Sequence, residues 1–359
     1  MSAATAAPIE VTNLQASGNG SLAAAISQAD AEHTRPATPA LITFAAQLSG
    51  AIVLGPSLFP RITDAIEIDG PGARRLTINA ADYYLYRSVF DDTAHSTLEI
   101  SGLAIDDSGV YAKQASVTLD SDGFYDSFGS AVKSNHGSLV LSGCTLAGSY
   151  AHTGGAVRAD DDRQVAIDDS TITGNRATTG GGIYAKDSGV SLTGSTVSGN
   201  YASYTFPSGG PITDPLLGYG GGIVAVGGEL TLRDSIVAGN GQTDYVQHAH
   251  RDLFLADGAS LHAEFSLIES DAASLPGLDG TDITGKGAEL GRLRDNGGAT
   301  NTELPSRSSP AINAGRAFGL KTDQRGVARK SAYPGVKVRK GSDGSDIGAV
   351  ELRPPQQHK

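Results

Sequence analysis

Lys133, Arg158, Tyr184 and His152 are the residues of this sequence whose types and placement best suit chemistry on an acidic sugar. A guanidinium and an ammonium neutralise a uronate carboxylate and acidify the carbon-bound proton next to it. An amine, imidazole or phenol then abstracts that proton, and a phenol protonates the departing glycosidic oxygen. Tyr150, Arg176, Tyr201, Tyr204, Tyr245, His248, His250 and Arg251 add the flat rings and cations that hold a polymer. These residues are scattered along the chain, so they act together only if a periodic framework brings them to one face.

Such a framework is written in the sequence. Apolar and small residues recur at positions 0, +2, +5, +7 and +10 from successive starts, a self-similarity that marks a solenoid. Leu139, Leu141, Cys144, Leu146 and Ser149 fill the pattern, as do Val165, Ile167, Ser170, Ile172 and Asn175. Further copies start at Val190 and Leu230, and weaker ones at Leu98, Val117 and Leu261. Alternation within the 0/+2 and +5/+7 pairs is strand periodicity, and the break between the pairs turns the chain onto a new face. A third strand per coil follows Gly129-Ser-Ala-Val132, Gly154-Gly-Ala-Val157, Gly180-Gly-Gly-Ile183 and Gly220-Gly-Gly-Ile223. The expected fold is therefore all-β, a right-handed parallel β-helix of three strands per coil. Coils stack about 4.8 Å apart, so equivalent residues form ladders.

The ladders assign roles. Positions 0 and +7 form the dry core, Cys144, Ser170, Ser195 and Ser235 a small-residue ladder, and Asn175, Asn200 and Asn240 an amide ladder that satisfies turn backbone. The outward residue after each Gly-rich run is Lys133, Arg158, Tyr184, Val224 and Phe254 in successive coils, flanked by loops 149–153, 175–179, 201–219 and 241–252. Long polar side chains on an exposed sheet face are also ordinary solubilising residues. It is the convergence of the set, more than any one member, that points to a site.

Residues 21–31 form the one convincing helix, with Ser21 as its N-cap, closing the end of a stack that runs as one domain: cap 1–40, coils 41–270 and C-terminal cap region 271–359. The net charge of −12 repels nucleic acid and anionic membrane. No stretch is long and apolar enough to span a membrane. A lone Cys144 cannot form an internal disulfide. Asp160, Asp161 and Asp162 form an acidic run able to hold Ca²⁺, and His248-Ala-His250 lacks an identifiable third metal ligand. No other cofactor and no metal are expected.

The coils with Ser-Thr-Ile-Thr-Gly-Asn175 and Gly-Gly-Gly-Ile-Tyr184 resemble repeats of bacterial surface β-helix proteins, including polymorphic outer-membrane proteins. The end is similar to the choice-of-anchor Q region of exported bacterial proteins, in Asp295-Asn-Gly-Gly298, Ser309-Pro-Ala-Ile-Asn-Ala-Gly315, Thr322-Asp-Gln-Arg-Gly326 and Asp346-Ile-Gly-Ala-Val-Glu351. Thr302-Glu-Leu304 stands where those proteins carry Thr-His-Ala-Leu. The resemblance implies a secreted or cell-surface bacterial protein whose leader is removed. It leaves activity open, since β-helices host adhesins and carbohydrate-active enzymes alike. The expectation is an extracellular polysaccharide-acting protein, a lyase for an acidic glycan; the rival is a non-catalytic adhesin or glycan-binding module. Hydrolase signatures are only fragmentary, at Asp106-Asp107 and Asn135-His-Gly137.

Overall fold

The computed structural model describes residues 7–31, 38–55, 59–80, 88–92, 96–203, 218–242, 252–270 and 275–354. Three long sheets of parallel strands run along one axis. The first, of ten strands, begins at Ile9–Val11 and ends at Ser260–Glu264; the second, also of ten, runs from Gly50–Val53 to Ile283–Thr284. The third, of seven, runs from Phe90–Asp92 to Leu253–Ala256. A short ladder of Arg176–Ala177, Tyr201–Ala202 and Gly241–Gln242 completes one corner. The chain is a parallel β-helix.

Register follows the repeat. Val117, Leu139, Val165, Val190, Leu230 and Leu261 are consecutive partners in the first sheet. Phe124, Leu146, Ile172, Val197, Val237 and Ile268 are consecutive in the second. Both rows are buried and fill the interior. The corners carry the polar bookkeeping that parallel strands leave undone. Cys144 N–H donates to Ser170 Oγ at 3.0 Å, and Ser170 and Ser195 repeat the bond one coil on. Ser149, Asn175 and Asn200 each donate a backbone N–H to the amide oxygen of the next asparagine, at 3.0 Å in every case. Asp252 replaces asparagine at the end of that row.

Two features explain the repeated small residues. A Cβ on Gly155 or Gly181 would collide with the carbonyl of Gly181 or Gly221 in the next coil, so these glycines let backbones approach. At the end of each third-sheet strand the chain passes through the left-handed region, at His136 (φ 58), Asp161 (φ 56), Asp187 (φ 48) and Gly227 (φ 69). Short polar residues and glycine tolerate that conformation best.

The helix Leu22–Ala31 packs Leu22 and Ile26 against the first strands, and its Ala24 N–H donates to Ser21 Oγ at 3.2 Å. Among the described residues no helix is long and apolar enough to cross a membrane. Residues 275–354 do more than close the far end. After Ile283–Thr284 extends the second sheet, the chain turns back and lies along that sheet's outer face as far as Arg74, which pairs with Asp295 at 2.8 Å. Gln324 reaches under it, donating to Cys144 O (3.0 Å) and Thr145 Oγ1 (2.9 Å) and accepting from Thr171 Oγ1 (2.6 Å). Arg329 is fully buried and meets Asp169 (2.6 Å), Asp234 (3.2 Å) and Glu351 (3.4 Å). The Asp-Gln-Arg and Asp-Ile-Gly-Ala-Val-Glu motifs are thus the fastenings of this strap.

Candidate functional site

The third sheet presents one outward row in exact register from coil to coil: Asp91, Tyr111, Lys133, Arg158, Tyr184, Val224 and Phe254. Its first four members line a groove of about 370 Å³, walled on the other side by Phe128 and His152. Parallel pairing sets adjacent rungs about 4.8 Å apart. The groove therefore holds an acid, a phenol, an ammonium and a guanidinium in successive coils, with an imidazole at the rim.

Each group is held differently. Arg61 pairs with Asp91 at 3.3 Å. Asp160, two residues after Arg158 on the same strand, accepts from Arg158 Nε at 2.7 Å and from Nη2 at 3.4 Å, which fixes the guanidinium plane. Lys133 Nζ stands over the Tyr111 ring, 5.0 Å from its centroid. Burial pulls the Lys133 ammonium below the ordinary lysine range, and the positive charge of Arg158 pulls it further, while Asp160 opposes both. Burial pushes the Tyr111 phenol up, aided by the negative charges of Asp91 and Asp160. Lys133 thus gives up its proton more readily than an ordinary lysine and Tyr111 holds its proton more firmly than an ordinary phenol, a pairing suited to proton removal and proton delivery.

The other expected residues divide into three groups. His152 lies at the exposed rim, where its carbonyl accepts from Thr178 N at 3.0 Å. Tyr150 bridges Phe128 and Arg176 in the adjoining corner, and the Arg176 guanidinium lies 5.6 Å from the Tyr201 ring centroid. Phe128, Tyr150, Arg176 and Tyr201 form a flank of rings and one cation beside the groove. Tyr184 is a correction: although next to Arg158 in register, it is buried with Val224 and Val226 and does not line the groove. Tyr204, Tyr245, His248, His250 and Arg251 lie outside the described residues.

The acidic run splits up. Asp160 serves Arg158, Asp161 occupies the left-handed corner 3.9 Å from His136 Nε2, and Asp162 accepts from Ser134 Oγ (2.9 Å) and Gly137 N (2.7 Å). Among the described residues no three His, Cys, Asp or Glu side chains group to hold a metal. Tyr111, Asp91 and Phe128 escape the sequence pattern, because the coils before Leu139 lack a Gly-Gly run. The available signal was Gly109-Val110-Tyr111, which repeats the small-Val-long order of Ala131-Val132-Lys133.

A family model for the right handed beta helix region matches residues 90–259, a span that contains Asp91, Tyr111, Phe128, Lys133, His152 and Arg158 of the groove. The solenoid is accordingly right-handed. Comparison with curated proteins returns no match to this chain.

Proposed function

We propose that the groove binds an acidic, uronate-containing polysaccharide and cleaves it by β-elimination. The observation that carries this reading is Lys133, a half-buried amine between the Tyr111 ring and the Arg158 guanidinium, held below its ordinary proton affinity. Arg158 takes the uronate carboxylate and stabilises the charge that develops there. Lys133 removes the proton from C5, and the released electron pair forms the C4–C5 double bond. The C4–O4 bond breaks, and O4 takes the Tyr111 phenolic proton. Lys133, now an ammonium, returns its proton to the adjacent phenolate, so no water is consumed. His152 binds sugar at the rim.

An open groove along a sheet suits a polymer, and a polymer substrate suits an exported bacterial protein, which is the setting we infer. The test is ultraviolet absorbance of unsaturated uronate on incubation with alginate, pectate, hyaluronan and other acidic glycans. Wild-type protein produces the signal on one of them and Lys133→Gln does not. Absence of signal across the panel contradicts the proposal. A second reading, a surface module that binds glycan without cleaving it, draws on the Phe128–Tyr150–Arg176–Tyr201 flank. It predicts retention on a glycan column with no new chain ends.

A further inference from the structure

The groove is sorted by charge along its length. Its two cations, Lys133 and Arg158, stand on the last two of its four rungs, with His152 at the rim on the Arg158 coil. The first rung carries Asp91, and the wall around it is Ser88, Ser108 and Gly109. Among the described residues no lysine or arginine lines that end. Tyr111 divides the two halves, one rung from Asp91 and one from Lys133. With rungs about 4.8 Å apart, Asp91 stands about 10 Å along the axis from Lys133 and about 14 Å from Arg158.

Elimination fixes the direction of a substrate in such a groove, a step that rests on the proposed function. The uronate that loses its C5 proton lies on Lys133 and Arg158. Its O4, protonated by Tyr111, departs attached to the neighbouring sugar. That released sugar therefore lies past Tyr111, on the Asp91 side.

Asp91 acts on the released sugar by its charge rather than by contact. One carboxylate oxygen pairs with Arg61 at 3.3 Å, and the other is buried without a partner. Arg61 is 66% exposed and is not part of the groove wall, so water screens it, and an exposed pair of this kind offsets its partner's charge only in part. The field of Asp91 reaches the next rung, where it helps hold the Tyr111 proton. A second carboxylate on the released sugar would meet like charge with no cation beside it. Hydroxyl and acetamido groups incur no such repulsion.

We infer that the protein cleaves the bond between an uncharged sugar and a uronate, so that its substrate is a copolymer of the two rather than a homopolyuronate, and that Asp91 sets this preference.

The test compares kcat/KM, read as unsaturated uronate, on two copolymers, hyaluronan and unsulfated chondroitin, and two homopolyuronates, polymannuronate and polygalacturonate. Wild-type protein favours the better copolymer over the better homopolymer by about ten-fold at low salt, and the ratio contracts as salt screens the field. Asp91→Asn contracts it several-fold, and the ratio cancels any change at Tyr111, which serves both substrates alike. Arg61→Gln, at an exposed side chain, leaves Asp91 unopposed and widens it. A homopolyuronate cleaved as fast as the copolymers, or a ratio that neither variant moves, overturns the inference and leaves elimination standing. Absence of unsaturated product from all four polymers overturns the proposed function, and the inference with it.

Discussion

Lys133 and Tyr111 are neighbours on adjacent rungs of the third sheet, with the ammonium 5.0 Å from the ring centroid. The pair separates proton removal from proton delivery. Lys133→Gln keeps a polar side chain of similar reach but removes the base, and its expected cost is about 10²–10⁴-fold in kcat with glycan binding retained. Tyr111→Phe keeps the ring beneath the amine and loses the proton donor, with a similar fall. Steady-state kinetics on the cleaved glycan check both, and Tyr184→Phe, outside the groove, serves as the unaffected control.

The pH profile follows from the same two groups. Lys133 must be neutral to act, so activity rises as pH passes its proton affinity, which lies below the ordinary 10.5. Tyr111 must be protonated, so activity falls only above the ordinary 10.0 of a phenol. The expected kcat/KM curve is a bell on the alkaline side whose rising limb disappears in Lys133→Gln. A rising limb that persists in Lys133→Gln and disappears in His152→Gln would instead assign the base to His152.

Arg158 is fixed by Asp160 through Nε and Nη2. Lysine in its place keeps the charge and loses the planar fork, so Arg158→Lys raises KM and lowers kcat/KM on the uronate polymer. Asp160→Asn frees the guanidinium plane and has a smaller effect in the same direction. Binding titrations alongside kinetics distinguish lost affinity from lost turnover.

The amide ladder tests the framework. Asn200 accepts from Asn175 N–H and donates to the carbonyl of Ile172, both buried. Asn200→Ala orphans both backbone groups and costs about 2–6 kcal/mol, at roughly 1–3 kcal/mol for each buried unpaired group. Thermal denaturation reads this directly, and Asn200→Asp is milder, because a carboxylate already serves at Asp252 in the same row.

How much of this was legible in the residues varies by element. The 0/+2/+5/+7/+10 spacing places Cys144 beside Ser170, and the Gly-rich run before each third strand places Lys133 beside Arg158, because parallel stacking converts equivalent positions into contact. Burial of Tyr184 was not legible, since its register is that of its outward neighbours and only its packing with Val224 and Val226 removes it from the groove. The reach of Arg329 to Asp169 was hidden for a different reason. The strap joins residues distant in sequence through single ion pairs, and such contacts leave no periodic trace.

That strap carries its own pH dependence. Burial raises Glu351 to about 8 and Asp169 and Asp346 each to about 6, above their ordinary values of 4.5, 3.8 and 3.8. The folded protein therefore holds protons that the unfolded chain has released, and stability falls as pH rises through about 5 to 8. The melting temperature is expected to be lower at pH 9 than at pH 5.5. Arg329→Leu, which leaves Asp169, Asp234 and Glu351 without their cation, costs about 3–5 kcal/mol.

The most direct measurement of the central claim is the mass of the products from a defined acidic oligosaccharide. Elimination adds no water, so the account predicts that the masses of the two fragments sum to that of the substrate, with one fragment unsaturated at its new non-reducing end. Fragments whose masses sum to substrate plus one water, or an oligosaccharide bound in the groove and recovered whole, would contradict it.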